Sequence, residues 1–471
     1  QVGGMGLGDA DNTIITNMET WNNAIYAGIE NDIDGARIYR STDGNTWVKV
    51  NNDGFGHVAL NAIVDFQSFN GQLYASTADD DPVPAQTAEI WRSANGVAWN
   101  QSGNDGLGNA NNFLFYELTV FNNQLYVGSF DDNNGADLFR TADGTNWNNV
   151  VNDGFGDANN TAIFGLYSFG GWLWAGTGNV NGAQIWRSAN GTDWNLYFNY
   201  DGQPLLENAT AINHFFDYNG LLYWFGVNAT EGAHIARRHD DILHTFFIGG
   251  LGDNNNIWFS DNTVISGSFL YFGTRNDTTG GELWYTANFQ NFTQIGQSGF
   301  GNIDNFAIYA LTFKDYLYIG LSTGNGAKGA EIWRQMLTAN ILIKTEEIAD
   351  GQQNSSYLQQ LEANGGKEPY SWSLAEGSSL PKGLSLNSQT GEISGTPEES
   401  GDFQVKIFVN DSSRPQNRAY KIFTLKIVAG AFDLSSNQTG LAVLPETGAN
   451  LDKKISCDNL KLTPVELLSV Y

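Results

Sequence analysis

Carboxylates recur at one place in a repeating pattern. "GLGDADN" carries Asp9 and Asp11, "GFGDANN" carries Asp157 and "GLGDNNN" carries Asp253. Hard carboxylate and carbonyl oxygens in glycine-rich loops suit calcium, although none of these loops follows EF-hand spacing. An asparagine closes each copy: Asn12, Asn61, Asn112, Asn160, Asn208, Asn256 and Asn305. Seven such side chains could form a polar ring that meets a ligand or ion. The same residue type also caps loop amides within its own turn. Two Trp–Arg pairs, Trp91–Arg92 and Trp186–Arg187, offer an aromatic face beside a hydrogen-bond donor, which is how proteins hold a sugar ring. They also read as ordinary trim between strands. Four of the five histidines, His214, His234, His239 and His244, crowd into one stretch whose spacing fits no zinc motif.

The elements that must position these residues come from an internal repeat. The motif G-[LF]-G-x-x-x-N starts at Gly6, Gly106, Gly154, Gly250 and Gly299, with a longer copy at Gly54 and a degenerate one at Gly202. Each unit then reads strand, two-residue turn, strand such as "QLYVGS", polar loop, strand such as "AEIWRS", tight turn, and a short strand. Four antiparallel strands in a unit of about 48 residues match a propeller blade. The expected fold is all-β: a seven-bladed β-propeller of four-stranded antiparallel blades over residues 1–337, followed by an Ig-like β-sandwich over 338–428 and a tail or connector strand over 429–471. Unit seven lacks a fourth strand, and the chain opens with an orphan one. Gln1–Gly4 are therefore expected to complete blade seven and close the ring.

The tight turn recurs as "STDGNTW", "SANGVAW", "TADGTNW" and "SANGTDW". It resembles the Asp-box, or BNR repeat, of sialidase-type propellers in a shortened form. That resemblance implies a structural turn, with Ser/Thr and Asp/Asn bonding back to amides and glycine taking a positive φ. The catalytic set of a sialidase is not matched, since no "RIP" stretch occurs. Residues 369–411 contain "PYSW", "LPKGLSL" and "TGEISGTP". They resemble the He-PIG and cadherin-like Ig domains of bacterial and archaeal surface proteins, a family whose role is spacing and presentation.

With 51 acidic against 23 basic residues, the net charge of −28 excludes nucleic acid as a natural partner. One cysteine rules out an internal disulfide. No stretch is long and apolar enough for a transmembrane segment. The start at Gln1 reads as a mature N-terminus, and "LPETG" at 444–448 reads as a chance match to a sorting motif. The expected protein is secreted or displayed at the cell surface. It recognises a glycan or surface protein through its Asp/Asn-rich face, without catalysis and with calcium as the one conceivable cofactor. A self-assembling layer or filament subunit, joined through the Ig-like domain and tail, is the first alternative. A polysaccharide-acting enzyme is the second.

Overall fold

The computed structural model describes residues 1–430 apart from 80–86, 203–208, 240–241, 248, 267–268, 315, 325–328, 337–340, 376 and 413–417. Six blades have four antiparallel strands each. In blade one these are Ile14–Trp21, Ala24–Glu30, Arg37–Ser41 and the two-residue Val48–Lys49. Blade seven contributes Asn305–Phe313, Tyr316–Thr323 and Glu331–Met336. Against its last strand lies the start of the chain. Val2 forms an antiparallel bridge with Ile332, its amide donating to the Ile332 carbonyl at 2.7 Å, and the Gly6 amide donates to the Ala330 carbonyl at 2.7 Å. An edge that would otherwise show unpaired amides is covered.

The core lies between blades. Ile15, Met18 and Ile25 of blade one pack with Tyr318 and Ile332 of blade seven, and Val2, Leu7 and Trp47 pack against that cluster. Successive interfaces repeat the arrangement. The residue between the two glycines of the G-[LF]-G motif is left-handed in blade after blade: Leu7, Phe55, Leu107, Phe155, Leu251 and Phe300 have φ between 51° and 64°. A side chain pays for such a conformation, so packing must hold it there. It does in blades two and four: Phe55 stacks on Trp91 at 4.3 Å, and Phe155 stacks on Trp186 at 4.7 Å.

The tight turns join neighbouring blades. In "STDGNTW" the Gly44 amide donates to Ser41 Oγ, and the Asn45 and Thr46 amides donate to Asp43 Oδ1, each at 2.8 Å. Gly44 has φ 70°, and a Cβ there would lie 1.6 Å from the Tyr318 hydroxyl of blade seven. Gly96, Gly144 and Gly191 approach Tyr26, Tyr74 and Tyr126 of the preceding blade in the same way, at 1.8, 1.8 and 1.9 Å. Blade six changes the glycine side of the contact and keeps the tyrosine. Phe289 stands in the glycine position with φ 56° and stacks on Tyr223 of blade five at 4.5 Å.

The C-terminal unit is a two-sheet sandwich. One sheet orders Gly351–Gln352, Arg418–Val428, Gly401–Asn410 and Ser371–Leu374, and the other orders Tyr357–Gln360, Glu392–Gly395 and Leu384–Leu386. Inward residues alternate along the long strands, so Val405, Ile407, Val409, Phe423, Leu425 and Ile427 meet Trp372 and Ile393 in one core.

Candidate functional site: the central channel

The first strand of every blade lines the central channel, where a cavity of about 290 Å³ opens. Its wall draws on all seven blades, from Asn17 and Glu19 in blade one through Asp65, Glu117, Tyr167, His214 and Asn262 to Ala310 in blade seven. A local irregularity aims these side chains. Pairing register shifts between Ile15 and Asn17, Ile63 and Asp65, Ile163 and Gly165, and Ile212 and His214. A bulge at this point turns the following residue away from the alternation of the strand.

Two of the channel carboxylates stitch strands together. Asp65 accepts from Asn17 Nδ2 of blade one at 2.8 Å and from the Leu118 amide of blade three at 2.7 Å. Glu117 accepts from the Leu166 amide of blade four at 2.9 Å. A backbone amide needs an acceptor, and these two find one in a carboxylate of the blade before, so the carboxylates answer a structural need. The His214 imidazole comes within 3.8 Å of Glu117, but this is no ion pair, because burial holds its pKa down at about 3 and the ring is neutral. Tyr167 donates to Asp217 Oδ1 at 2.7 Å. Burial, then the neighbouring carboxylate, push its phenol up.

Glu19 is different. No side-chain donor bonds it among the described residues, and burial pushes its carboxyl up to about 7 against one bond from the Thr20 amide. A carboxyl whose pKa is raised toward neutrality at an open channel wall can give or take a proton. Above the bulge layer lies a second cavity of about 320 Å³, walled by Tyr116, Phe164, Trp258, Tyr309 and Arg275. Its rings touch: Tyr116 and Phe164 are 4.3 Å apart, and Phe164 meets Trp258 edge-on at 5.3 Å. The channel is thus an aromatic vestibule, then a bonded carboxylate layer, then Glu19.

The residues singled out from sequence lie elsewhere. Asn12, Asn112, Asn160, Asn256 and Asn305 are buried, and each donates Nδ2 to the carbonyl of the first glycine in its own motif, at 2.7 to 3.1 Å. Asn61 is also buried and donates to Asp32 at 2.9 Å. Asn208 lies outside the described residues. Asn61 thus reaches back to a loop of blade one, while the other five stay within their own blades, and none of the six lines the channel cavity. Trp91 and Trp186 bond Glu89 and Gln184 through their indole nitrogens at 2.7 and 2.9 Å, with one face covered by the motif phenylalanine. Arg187 lies over Trp172 at 4.4 Å and Tyr197 at 4.8 Å, and Arg92 beside Tyr74 on the same third-strand position.

The loop carboxylates are likewise scattered by blade. Asp9 pairs with Arg37 at 2.5 Å and accepts from the Asp11 amide at 3.1 Å. Asp157 accepts from Asn159 and Asn179, and Asp253 from Asn255, Asn276 and Thr279. These carboxylates face N–H and O–H donors rather than further oxygen ligands, a poor fit to calcium. Among the described residues no group of three or more His, Cys, Asp or Glu is placed to hold a metal. The histidines also separate: His214 faces the channel, while His234 is buried 3.3 Å from the Tyr200 hydroxyl.

Residues 340–428 match the family model described as "Putative Ig domain" (He_PIG). No match was found among curated proteins. Solved structures resemble the chain distantly. An ancestral GH74 enzyme is 13% identical with a TM-score of 0.48, over 69% of this chain and 48% of the other. A polysaccharide lyase is 10% identical with a TM-score of 0.45, over 70% and 91%. A thermostable family-43 glycoside hydrolase is 11% identical with a TM-score of 0.32, over 48% and 90%. The chain spans less than half the length of the first solved structures it matches. The expectation of a chain without catalysis is corrected by this comparison, because these three structures are enzymes. The missed residues, Glu19, Asp65, Glu117 and Asp217, had one legible signal: acidic side chains inside otherwise apolar innermost strands.

Proposed function

We propose that the propeller binds a carbohydrate chain in its central channel and acts on it, with Glu19 as the proton donor. The observation that carries this reading is Glu19 itself, a half-buried carboxyl held near neutral pKa and spared the strand-stitching duty of Asp65 and Glu117. The aromatic vestibule gives sugar rings flat apolar faces to stack on, and the carboxylate layer gives acceptors for their hydroxyls. The enzymes to which the fold is similar include glycoside hydrolases and a polysaccharide lyase, which agrees with this substrate class. Kinship with sialidase-type propellers rests on the turn pattern alone. The Ig-like domain favours an extracellular or cell-surface setting, and no helix among the described residues is long and apolar enough to cross a membrane. The test is a polysaccharide panel assayed for turnover with the whole chain and with Glu19→Gln. Turnover that the variant loses, with melting temperature kept, supports the reading. Equal turnover by both proteins, or none by either, removes it.

A further inference from the structure

One blade breaks the repeat at the vestibule. Beside the bulge, the first and second strands of each blade face one another at an equivalent pair. These pairs are Ile14–Glu30, Ala62–Ala78, Leu114–Phe130, Ala162–Gly178, Ala211–Val227 and Ala307–Ser322. None includes a cation. Blade six instead pairs Trp258 with Arg275. The sister residues of Trp258 are all aliphatic and those of Arg275 include no cation, so the fold itself asks for neither a tryptophan nor a guanidinium there.

Both side chains wall the vestibule. Arg275 is half exposed, lies 5.0 Å over the ring of Phe306, and touches Asp277 at 3.3 Å, a long contact between two groups that are each about half in water. Such a pair is worth little and yields easily to a better partner. Deeper in the channel the wall turns acidic through Glu19, Asp65 and Glu117. A ligand carrying a negative group is therefore repelled at the carboxylate layer and attracted at the mouth. Its neutral hydroxyls suit the first and its anion suits the second.

We propose that Trp258 and Arg275 form a subsite for an anionic sugar unit, one whose ring stacks on the vestibule aromatics while its carboxylate or sulfate ester bonds the Arg275 guanidinium. This rests on the reading of the channel as a carbohydrate site. The planar fork of Arg275 suits either anion, and Phe306 beneath it orients the fork.

The experiment is binding of the whole chain to matched oligosaccharides in neutral, C6-carboxylate and sulfate-ester forms on several backbones, repeated with Arg275→Gln and at raised salt. The expected result is a preference for an anionic form of about tenfold. It shrinks as salt is added and disappears in Arg275→Gln, while any neutral binding and the melting temperature persist. Carboxylate and sulfate arms tell the two anions apart. Equal binding of neutral and anionic forms by the unaltered protein overturns the subsite and leaves the channel reading standing. So does an anionic preference that survives Arg275→Gln. Binding to none of them overturns both.

Discussion

The rim of the propeller and its channel follow opposite rules. At the rim, blades one to four each set a turn glycine against the tyrosine of the blade before, and blades one, three and four each set an asparagine amide on their own motif carbonyl. In the channel, equivalent strands carry Asn17, Asp65, Gly165 and His214 after the same register shift. Repetition marks what the fold needs seven times. Variation on a repeated frame marks positions that the fold leaves open.

The comparison breaks most directly at the turn glycines. Gly96→Val puts a branched side chain where even a Cβ would lie 1.8 Å from Tyr26, at φ 72°. A loss of about 3 kcal/mol or more is expected in chemical denaturation. An unchanged midpoint would show that the blade contact is loose. Deleting residues 1–4 removes the Val2 bridge and should cost about 2 kcal/mol, read as a lower melting temperature.

Channel changes should act on function with less effect on stability. Glu19→Gln should abolish turnover. Its pKa is raised on folding, so the ionised form is penalised in the folded state. Its contribution to stability is then most favourable below pH 4.5 and is lost as pH rises toward about 7, so the variant should be steadier than the original protein at pH 8. A variant with the same pH slope would remove Glu19 as its source. The smallest effect belongs to Val97→Thr, at an exposed turn position, where a change under about 0.5 kcal/mol is expected in thermal melting.

Much of the fold was legible because a repeat reports the same physics seven times. The "LYVG" strands, the Gly-containing turns and the G-[LF]-G motif each constrain a backbone conformation that few residues satisfy. The channel was not legible in the same way. Asp65 and Glu117 look like strays in apolar strands until the bulges are seen, and the loop aspartates drew notice because polar residues in loops resemble sites. In the structure those loop aspartates accept from their own turn and from the neighbouring strand.

Sequence alone determined the number of blades, the form of each turn and the Ig-like sandwich, since period, glycine placement and strand alternation are local properties of the chain. The tertiary structure alone decided which polar residues share a space. Glu19, Asp65 and Glu117 are separated by about one repeat each, and only ring closure with a bulge in each inner strand turns them toward one channel.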